Sequence, residues 1–522
     1  MKSTFYLTTA IAYVNAPPHI GFALELIYAD TLARYQRLTG KEVFFLTGTD
    51  EHGQKIARQA ATEKKNPQKF VDDMSDLYQR LTKELKISYT DFIRTTEERH
   101  AAAVKTFWQR VATRGYIYKK NYSGLYCVGC EQFKTDKDLV DGLCPDHQRA
   151  PELLEEENYF FKQSEFRDQL VELYASRPDF IVPEGKFHEM QQFVLSGLED
   201  ISISRSRAQL TWGLPVPGDD TQVIYVWFDA LINYLTGVGF AVEDEKFERL
   251  WPANVHVIGK EINRQHAVLW PAMLMAAGLE LPRQVAVHGL IYVEGHKMSK
   301  TLGNVIDPHE LIELFGVDAT RYLLLSQLPF SGDGDWSRTR SLKKYETDLA
   351  NDLGNLVYRV ASMVKKYRDG RVPQKSDLPD QQLSQPDMLK LIWKEYHTHM
   401  ENWRFDQALT AVWKIVRSAN QLIDQSKPWI LAKTEKTEQL DSVLYTLLES
   451  LRHVAWMLRP SMPETSDRLL DQLGVQHDRD KLLYNDVAAW GLLEAEAEIG
   501  VEAPLFPRRA TLLTIPAKSS SL

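Results

Sequence analysis

A strand, a helix and a second strand follow one another at the start of the chain, and this order dictates a parallel sheet. Residues 5–15 are rich in aromatic and β-branched side chains and predict a strand. From Ile20 to about Leu38 the apolar side chains have helical spacing, and Gly40 ends the helix. Residues 43–46 predict a short buried strand, followed by a polar turn at 47–53. Because two strands joined by a helix run parallel, we expect an α/β fold with a doubly wound sheet.

A second α/β stretch begins near residue 223. Its expected strands are 223–226, 255–258 and 285–287. Between the two stretches, over residues 116–220, the pattern breaks into turns, an acidic run and all three cysteines of the chain. The sequence therefore predicts an insertion that splits the sheet. Ligands in doubly wound folds bind beyond the carboxyl ends of the strands, where the loops at 15–22 and 47–53 both fall.

From about residue 340 the sequence becomes helical and stays so to about 470. The first apolar stripe consists of Tyr345, Leu349, Leu353, Leu356, Val360 and Met363. Side chains at alternating spacings of three and four lie on one helix face, which is then buried against neighbouring helices. An all-α helical bundle is expected to follow the sheet.

The composition is that of a globular protein with more than one core. A chain of 522 residues, 44% hydrophobic and 25% charged, predicts roughly two to four domains. No apolar stretch approaches the ~18 residues that a membrane span needs, and the N-terminus resembles neither a signal nor a transit peptide. We therefore expect a cytoplasmic protein. The net charge of −9 neither indicates nor excludes nucleic-acid binding, because a local basic patch matters more than the total.

The cysteines form a pattern typical of a metal site. Cys127 and Cys130 make one C-x-x-C pair, and Cys144 and His147 make a C-x-x-H pair. Three thiolates and one imidazole suit a tetrahedral zinc ion, and four protein ligands leave no open position for chemistry. A structural zinc site is predicted, with reduced, unliganded cysteines as the alternative.

Two short segments are suited to phosphate. The first is Pro17 to Phe22, where the helix is expected to begin; its N-terminal N–H groups and positive dipole end attract anions. His19 can donate to a phosphate oxygen, and Gly21 leaves room for a base or a ribose. In the second, Lys297 to Thr301, two lysines and a serine can hold departing pyrophosphate. Taken singly, a turn with an incidental histidine and a solvated basic loop are the simpler interpretations.

Together the two segments resemble the two signature motifs of class I aminoacyl-tRNA synthetases, and the surrounding sequence narrows the resemblance to methionyl-tRNA synthetases. The matching stretches are Tyr13–Gly21, Leu46–Gly53, Tyr225–Ala230 and Val293–Lys300. Three residues depart from the family pattern. They are Phe22 in place of the second signature histidine, Thr301 in place of the last serine, and Gln265 in place of an aromatic residue beside His266.

The resemblance implies a Rossmann-type catalytic domain that activates L-methionine with ATP and transfers it to the 3′ end of tRNA(Met), for initiation and elongation. It also implies one structural Zn²⁺ in the insertion and Mg²⁺ with ATP. His19, Lys297 and Lys300 would be catalytic. The ATP-binding residues would be Pro17, Pro18, His19, Gly21, Phe22, Gly259, His288, Gly289, Lys297, Met298, Ser299, Lys300 and Thr301. The methionine-binding residues would be Ile11, Ala12, Tyr13, Asp50, Trp227, Ala230, Leu231, Tyr234, Ile262 and His266.

The resemblance further implies that Asn355, Arg359 and Trp429 recognise the CAU anticodon of the tRNA. Amide and guanidinium groups can bind base edges, and an indole can stack on an unpaired base. Without the family context, a surface pair and a buried tryptophan would be the expectation.

Five segments are expected along the chain. They are 1–115 and 221–335 for the two catalytic halves, 116–220 for the insertion, 336–500 for the anticodon-binding helices and 501–522 for a tail. Leucyl, isoleucyl or valyl enzymes are an alternative, but they carry a larger inserted editing domain. A paralogue weakened by Phe22, which binds without aminoacylating, is another. Because little chain follows the helices, a monomer without an appended dimerising domain is expected.

Overall fold

The structure, a computed structural model of the chain, describes residues 3–127, 132–134, 138–145, 148–298, 303–375, 386–475, 478–500 and 504–508. Five predicted site residues lie outside these ranges. They are Cys130, His147, Ser299, Lys300 and Thr301. Within the described ranges, no helix combines the length and the apolar character needed to cross a membrane.

The strands are numbered in chain order. They are β1 (Thr4–Thr9), β2 (Ala12–Tyr13), β3 (Glu42–Asp50), β4 (Asp91–Arg94), β5 (Ile117–Cys127), β6 (Gln132–Lys134), β7 (Glu152–Phe161), β8 (Ile181–Val182), β9 (Ile201–Ser202), β10 (Ser204–Ser206), β11 (Pro215–Val216), β12 (Asp219–Ile224), β13 (Val255–Gly259), β14 (Val285–His288), β15 (Ile291–Val293), β16 (His296–Lys297) and β17 (Gly334–Trp336).

The helices are numbered in the same way. The first ten are α1 (Ile20–Leu38), α2 (Gln54–Thr62), α3 (Pro67–Glu84), α4 (Glu98–Thr113), α5 (Arg167–Ser176), α6 (Glu184–Leu195), α7 (Val226–Ala230), α8 (Asn233–Thr236), α9 (Asp244–Leu250) and α10 (Trp270–Ala277). The others are α11 (Pro308–Phe315), α12 (Val317–Gln327), α13 (Arg338–Lys344), α14 (Leu356–Arg368), α15 (Pro386–Glu401), α16 (Phe405–Ser426), α17 (Pro428–Lys433), α18 (Thr437–Leu458), α19 (Pro463–Gln472) and α20 (Tyr484–Val487). Two segments, Gln265–Leu269 and Tyr345–Asn355, are π-helical.

The central sheet is parallel and covered on both faces. Its strand order is β4-β3-β1-β13-β14-β8, and β2 continues along β3 beyond the end of β1. Phe5 and Leu7 of β1 enter one apolar core with α1, whereas Tyr6 between them enters the other. Alternate side chains of a strand point to opposite faces, and both faces of this strand are apolar, as a sheet between two helical layers requires. The doubly wound α/β fold is confirmed.

The first helix begins and ends where the sequence predicts. His19 is the N-cap of α1, and its Nδ1 accepts a hydrogen bond of 3.0 Å from the Gly21 N–H. Beyond the helix, Gly40 has a φ of +92°, which an L side chain rarely adopts. A cap at one end and a glycine at the other are local signals, which explains why this prediction is confirmed.

The strands at the site differ from the prediction. The strand expected at 5–15 breaks after Thr9, and β3 runs on to Asp50, so the turn expected at 47–53 begins later. The Thr9 and Thr47 hydroxyl oxygens lie 2.7 Å apart, and both side chains are buried. A run of polar residues predicts a turn, but hydrogen bonds allow these threonines to be buried in strands.

The strand expected at 223–226 also differs from the prediction. β12 ends at Ile224 and pairs antiparallel with β10 and β11, outside the central sheet. The edge of the central sheet is instead β8, which lies inside the predicted insertion and pairs parallel with β14. Strand partners are chosen by tertiary packing, which a local apolar run does not report.

Residues 116–220 and the C-terminal part of the chain complete the architecture. Strands between residues 116 and 220 form an antiparallel sheet of order β6-β5-β7-β9. Helices α13 to α19 follow the central sheet, and their core is continuous with the core beneath α1. Burial of the predicted stripe confirms the helical C-terminal domain. Its fully buried side chains are Tyr345, Leu349, Leu353, Leu356 and Val360.

Candidate functional site

The candidate site lies at the carboxyl edge of the central sheet. The residues that follow β1, β3, β13 and β14 meet there with the N-terminus of α1. This is the edge at which doubly wound folds bind their ligands.

One cavity of about 260 Å³ opens at this edge. Its lining includes nine of the ten predicted methionine-binding residues; Ala12 is the exception. The nine are Ile11, Tyr13, Asp50, Trp227, Ala230, Leu231, Tyr234, Ile262 and His266. The volume is just below the ~300–1,000 Å³ of drug-sized pockets and therefore suits a small ligand.

His266 is held as a neutral imidazole. Its Nδ1–H donates to the Ile262 carbonyl oxygen at 3.0 Å, which leaves Nε2 to accept from the Tyr234 hydroxyl at 2.7 Å. Burial lowers the pKa of His266 to about 4. The residue lies in the π-helical segment Gln265–Leu269, and single wide turns of this kind are frequent at functional sites.

The cavity also has charged walls. Asp50, at the end of β3, is buried, and Lys55 lies in the first turn of α2. The rim therefore presents one carboxylate and one ammonium group to the same space.

The first phosphate segment lies beside the cavity, at the start of α1. His19 and Pro17 are exposed, Pro18 is buried, and Phe22 is half-buried. A Cβ on Gly21 would lie 2.8 Å from His19 Cε1 and 4.0 Å from the Met298 methyl group. Met298, which directly follows β16, therefore lies near the N-terminus of α1. A nucleotide site formed by both segments requires this proximity.

The ends of β13 and β14 form the next wall. Gly259 pairs with His288 in the sheet register. His288 Nε2 lies 3.0 Å from the buried Glu25 carboxylate of α1, and its Nδ1 lies 2.8 Å from the Gly289 carbonyl oxygen. A Cβ at Gly289 would lie 2.0 Å from the Gly332 carbonyl oxygen, so no side chain fits there.

Lys297 lies on a hairpin. Strands β15 and β16 pair antiparallel through a two-residue turn, where Glu294 and Gly295 have φ of 50° and 80°. Positive φ at both positions is the type I′ geometry that matches strand twist. The exposed Lys297 ammonium lies 3.7 Å from the Glu261 carboxylate. Its predicted partner Lys300 lies outside the described part of the chain.

The cysteine cluster is described in part. Cys127 ends β5, Cys144 lies in the following turns, and both are buried. Thiolates are the ligands that zinc prefers, so this half of the donor set suits the metal. Among the described residues, no group of three or more His, Cys, Asp or Glu side chains is arranged so that it could hold a metal ion.

The predicted anticodon residues lie on three helical elements. Asn355 is exposed at the end of its π-helical segment, and Arg359 follows in α14. An Arg359 Nη2 lies 3.3 Å from an Asp424 carboxylate oxygen at the end of α16. Trp429 is the second residue of α17, and 46% of its surface is exposed. The alternative prediction that this tryptophan is buried is therefore wrong.

The sequence did not single out several residues at the site. Ala10, Lys55, Val226 and Asn233 line the cavity, and Glu25 holds His288. Each lies within a few residues of a predicted one, so proximity in sequence was the available signal. What it lacked was the direction of each side chain, which depends on the fold.

The comparisons with known proteins agree with this geometry. A family model described as class I tRNA synthetases (M) matches residues 5–151 and 147–361, and one described as an anticodon-binding domain of tRNA ligases matches 388–499. The fold and the site are therefore those of a class I aminoacyl-tRNA synthetase.

Individual relatives narrow the assignment. A methionine–tRNA ligase of Caldanaerobacter subterraneus is 45% identical over 97% of this chain and 79% of its own length. That of Brucella suis is 42% identical over 97% and 98%. A Mycobacterium tuberculosis methionyl-tRNA synthetase in complex with methionyl-adenylate superposes with a TM-score of 0.93 at 41% identity, covering 97% of this chain and 100% of its own. The chain belongs to the methionine–tRNA ligase family, as the resemblance of its motifs predicts, and the leucyl, isoleucyl and valyl alternatives are set aside.

Proposed function

We propose that the cavity binds L-methionine, that the adjoining α1 N-terminus and the Lys297 hairpin bind ATP, and that the activated amino acid is transferred to the 3′ end of tRNA(Met). The observation that carries this proposal is the convergence of nine predicted methionine-binding side chains on one cavity beside the nucleotide segment. The bound adenylate named for the M. tuberculosis relative supports the same reaction.

The apolar and aromatic lining suits a thioether side chain, which offers little for hydrogen bonding. Asp50 holds the substrate ammonium, and Lys55 contributes positive charge beside the substrate carboxylate. Neutral His266, held between Ile262 and Tyr234, gives the end of the cavity a fixed shape without adding a charge.

The first chemical step needs no general base. The methionine carboxylate is already ionised, so its oxygen attacks the α-phosphorus while the bond to the departing pyrophosphate breaks. His19 donates to phosphate oxygens, and Lys297 with Lys300 stabilises the leaving pyrophosphate. Mg²⁺ bound with ATP would neutralise phosphate charge. In the second step the ribose hydroxyl at the tRNA 3′ end attacks the acyl carbon, and AMP leaves.

The remaining assignments belong to the same proposal. The 336–500 segment recognises the CAU anticodon through Asn355, Arg359 and Trp429, and the 116–220 segment holds one structural Zn²⁺ between Cys127, Cys130, Cys144 and His147. We also propose that the other predicted ATP-binding residues bind ATP and that the domain limits are those expected from the sequence. A cytoplasmic location and a monomeric state belong to the same proposal.

Methionine-dependent ATP–pyrophosphate exchange with the purified chain tests the function. Exchange should require methionine and should not be supported by leucine, isoleucine or valine. tRNA(Met) should then accept labelled methionine. A chain that binds methionine and ATP without exchange would instead be the weakened paralogue that Phe22 suggested.

A further inference from the structure

A buried carboxylate beside the cavity is shared by two histidines. Asp229 is fully buried, and its two oxygens lie 2.7 Å from His52 Nδ1 and 2.8 Å from His100 Nε2. Each imidazole N–H can donate to a different carboxylate oxygen. His100 is fully buried and His52 is 5% exposed, so water reaches this network poorly.

The three residues lie on separate elements around the methionine cavity. Asp229 belongs to α7, which also carries Trp227 and Ala230 of the cavity wall. His52 lies two residues after Asp50, in the loop between β3 and α2. His100 belongs to α4.

The network does not itself line the cavity. His52, His100 and Asp229 are all absent from its wall, whereas the neighbours Asp50, Trp227 and Ala230 form part of it. The network therefore acts on the ligand only through the residues beside it.

Further contacts orient the two histidines. His100 Nδ1 lies 3.1 Å from the Thr236 hydroxyl of α8, which fixes the ring from behind. The ring of His52 lies edge-on to that of Trp212, at 5.6 Å between centroids. The Trp212 indole N–H donates to the Glu51 carbonyl oxygen at 2.6 Å. The loop that follows Asp50 is thus held by Trp212 and by Asp229.

A carboxylate in this position is costly unless its partners stay in place. Burial acts to raise the pKa of Asp229, but His52 and His100 outweigh it and lower the pKa to about 2. The network therefore favours one relative arrangement of the β3 loop and α7, because any shift would leave the buried charge without a donor.

We propose that Asp229 is a positioning residue of the amino-acid cavity: by holding His52, it keeps Asp50, at the end of β3, in register with Trp227 of α7. The substrate ammonium binds at Asp50, and the substrate side chain binds at the wall that carries Trp227. Their registry therefore sets methionine affinity and leaves ATP binding alone. This inference rests on the proposed function.

The test compares two variants of His52. His52→Ala removes the donor, whereas His52→Asn keeps an N–H near the position of Nδ1. We expect His52→Ala to raise the methionine KM in pyrophosphate exchange about tenfold, with the ATP KM changed less than about twofold. His52→Asn should recover most of the loss. Asp229→Asn, which keeps one acceptor, should lie between them.

A matched control separates positioning from stability. Glu449 is a fully buried carboxylate of α18, paired with Arg452 at 2.6 Å and remote from the cavity. Glu449→Gln should lower the thermal midpoint while leaving the methionine KM unchanged. If His52→Ala likewise lowers only the midpoint, or shifts both KM values equally, the positioning role is overturned. Failure of the unmodified chain to exchange would instead overturn the proposed function.

Discussion

At the scale of single residues, hydrogen bonds hold several buried polar side chains of the site in place. Tyr234 shows how tightly this is done. Its hydroxyl donates to His266, its backbone carbonyl accepts from the Tyr6 hydroxyl at 2.7 Å, and its ring lies 4.2 Å from that of His256. Buried groups with all partners present stay in one arrangement, which gives the cavity a defined shape.

Asp50→Asn should raise the methionine KM by about 10- to 100-fold, because an amide cannot form an ion pair with the substrate ammonium. The ATP KM should change little. Asp73→Asn, at a surface pair with Lys69 on α3, is the matched control and should alter neither value. The measurement is pyrophosphate exchange with one substrate varied at a time. An unchanged methionine KM in Asp50→Asn would remove this residue from the binding site.

Packing against a neighbouring aromatic ring explains why a phenylalanine is suited to position 22. Its ring packs edge-on against Tyr78 at 4.9 Å, and the Tyr78 hydroxyl donates to the Ala16 carbonyl oxygen at 2.9 Å. The aromatic contact supports the turn before α1. The family signature has a histidine donor at this position, whereas Phe22 packs against Tyr78 here. Under the proposed function, His19 and the N-terminus of α1 are the groups left to bind phosphate.

At the scale of elements, α17 presents Trp429 to solvent. Trp429→Ala should lower the charging of tRNA(Met) by about 5- to 150-fold, since base stacking on an aromatic ring contributes ~1–3 kcal/mol. Pyrophosphate exchange should be unchanged, because the amino-acid and ATP sites are untouched.

The control for Trp429 is Trp413, which is buried and stacks on Tyr322 at 4.6 Å. Trp413→Ala should lower the thermal midpoint and with it both activities. Equal loss of charging and exchange in Trp429→Ala, without a change in stability, would contradict an anticodon role.

The cysteine cluster is the second prediction at this scale. Metal analysis of the purified chain should find about one zinc per chain. Removal by a strong chelator should expose residues 116–220 to protease, because β5 and the turn at Cys144 lose a shared anchor. A protease pattern that is identical with and without metal would contradict a structural zinc site.

At the scale of the whole molecule, one buried arginine joins helix α1 to the C-terminal helices. Arg321 of α12 is fully buried and lies 2.7 Å from Asp30 of α1. It also donates to the carbonyl oxygens of Pro460 and Ser461, in the turn between α18 and α19. Arg321 therefore connects α1 with the C-terminal bundle by hydrogen bonds, in addition to their shared apolar core.

Arg321→Met should destabilise the chain by about 3 kcal/mol, near the lower limit for breaking a buried ion pair, because Asp30 keeps Arg34 and Ser88. Arg340→Met removes a surface pair with Asp335 and should cost less than about 1 kcal/mol. The free energy of unfolding in urea is the measurement. A loss of similar size in both variants would show that the buried junction contributes nothing special.

The pH dependence of stability should follow the buried histidines. Burial lowers the pKa of His266 to about 4 and of His453 to about 3, from an ordinary value of 6.5. The unfolded chain therefore takes up protons below pH 6.5 that the folded chain resists. Stability should fall as the pH falls from 6.5 toward 4, by on the order of 3 kcal/mol for His266 alone.

A second acid window lies lower. Burial opposes ionisation of Asp30, but Arg321 and Arg34 lower its pKa to about 2. The contribution of Asp30 to stability is therefore lost only as the pH falls from 3.8 toward 2.

The thermal midpoint between pH 8 and pH 4 tests the histidine window. A midpoint that stays constant over that range would contradict it.

Much of the fold could be predicted because its signals are local. Helix α1 was predicted from its apolar spacing and from Gly40, and the C-terminal helices from stripes such as Tyr345 to Val360. The strands near residues 5–15 and 223–226 were predicted less well. Burial of polar threonines and the choice of strand partner depend on residues far along the chain.

Local signals were enough to predict the fold class and the C-terminal helices, because periodicity and caps are short-range properties. The family was implied by the resemblance of the motifs. The residues of the methionine cavity were implied by resemblance, and nothing in their spacing required them to meet. Only the tertiary structure brought residues 10–13, 50–55, 226–234 and 262–266 around one space. It alone joined Asp229 to His52 and His100, because a buried charge finds its partners through packing and not through sequence proximity.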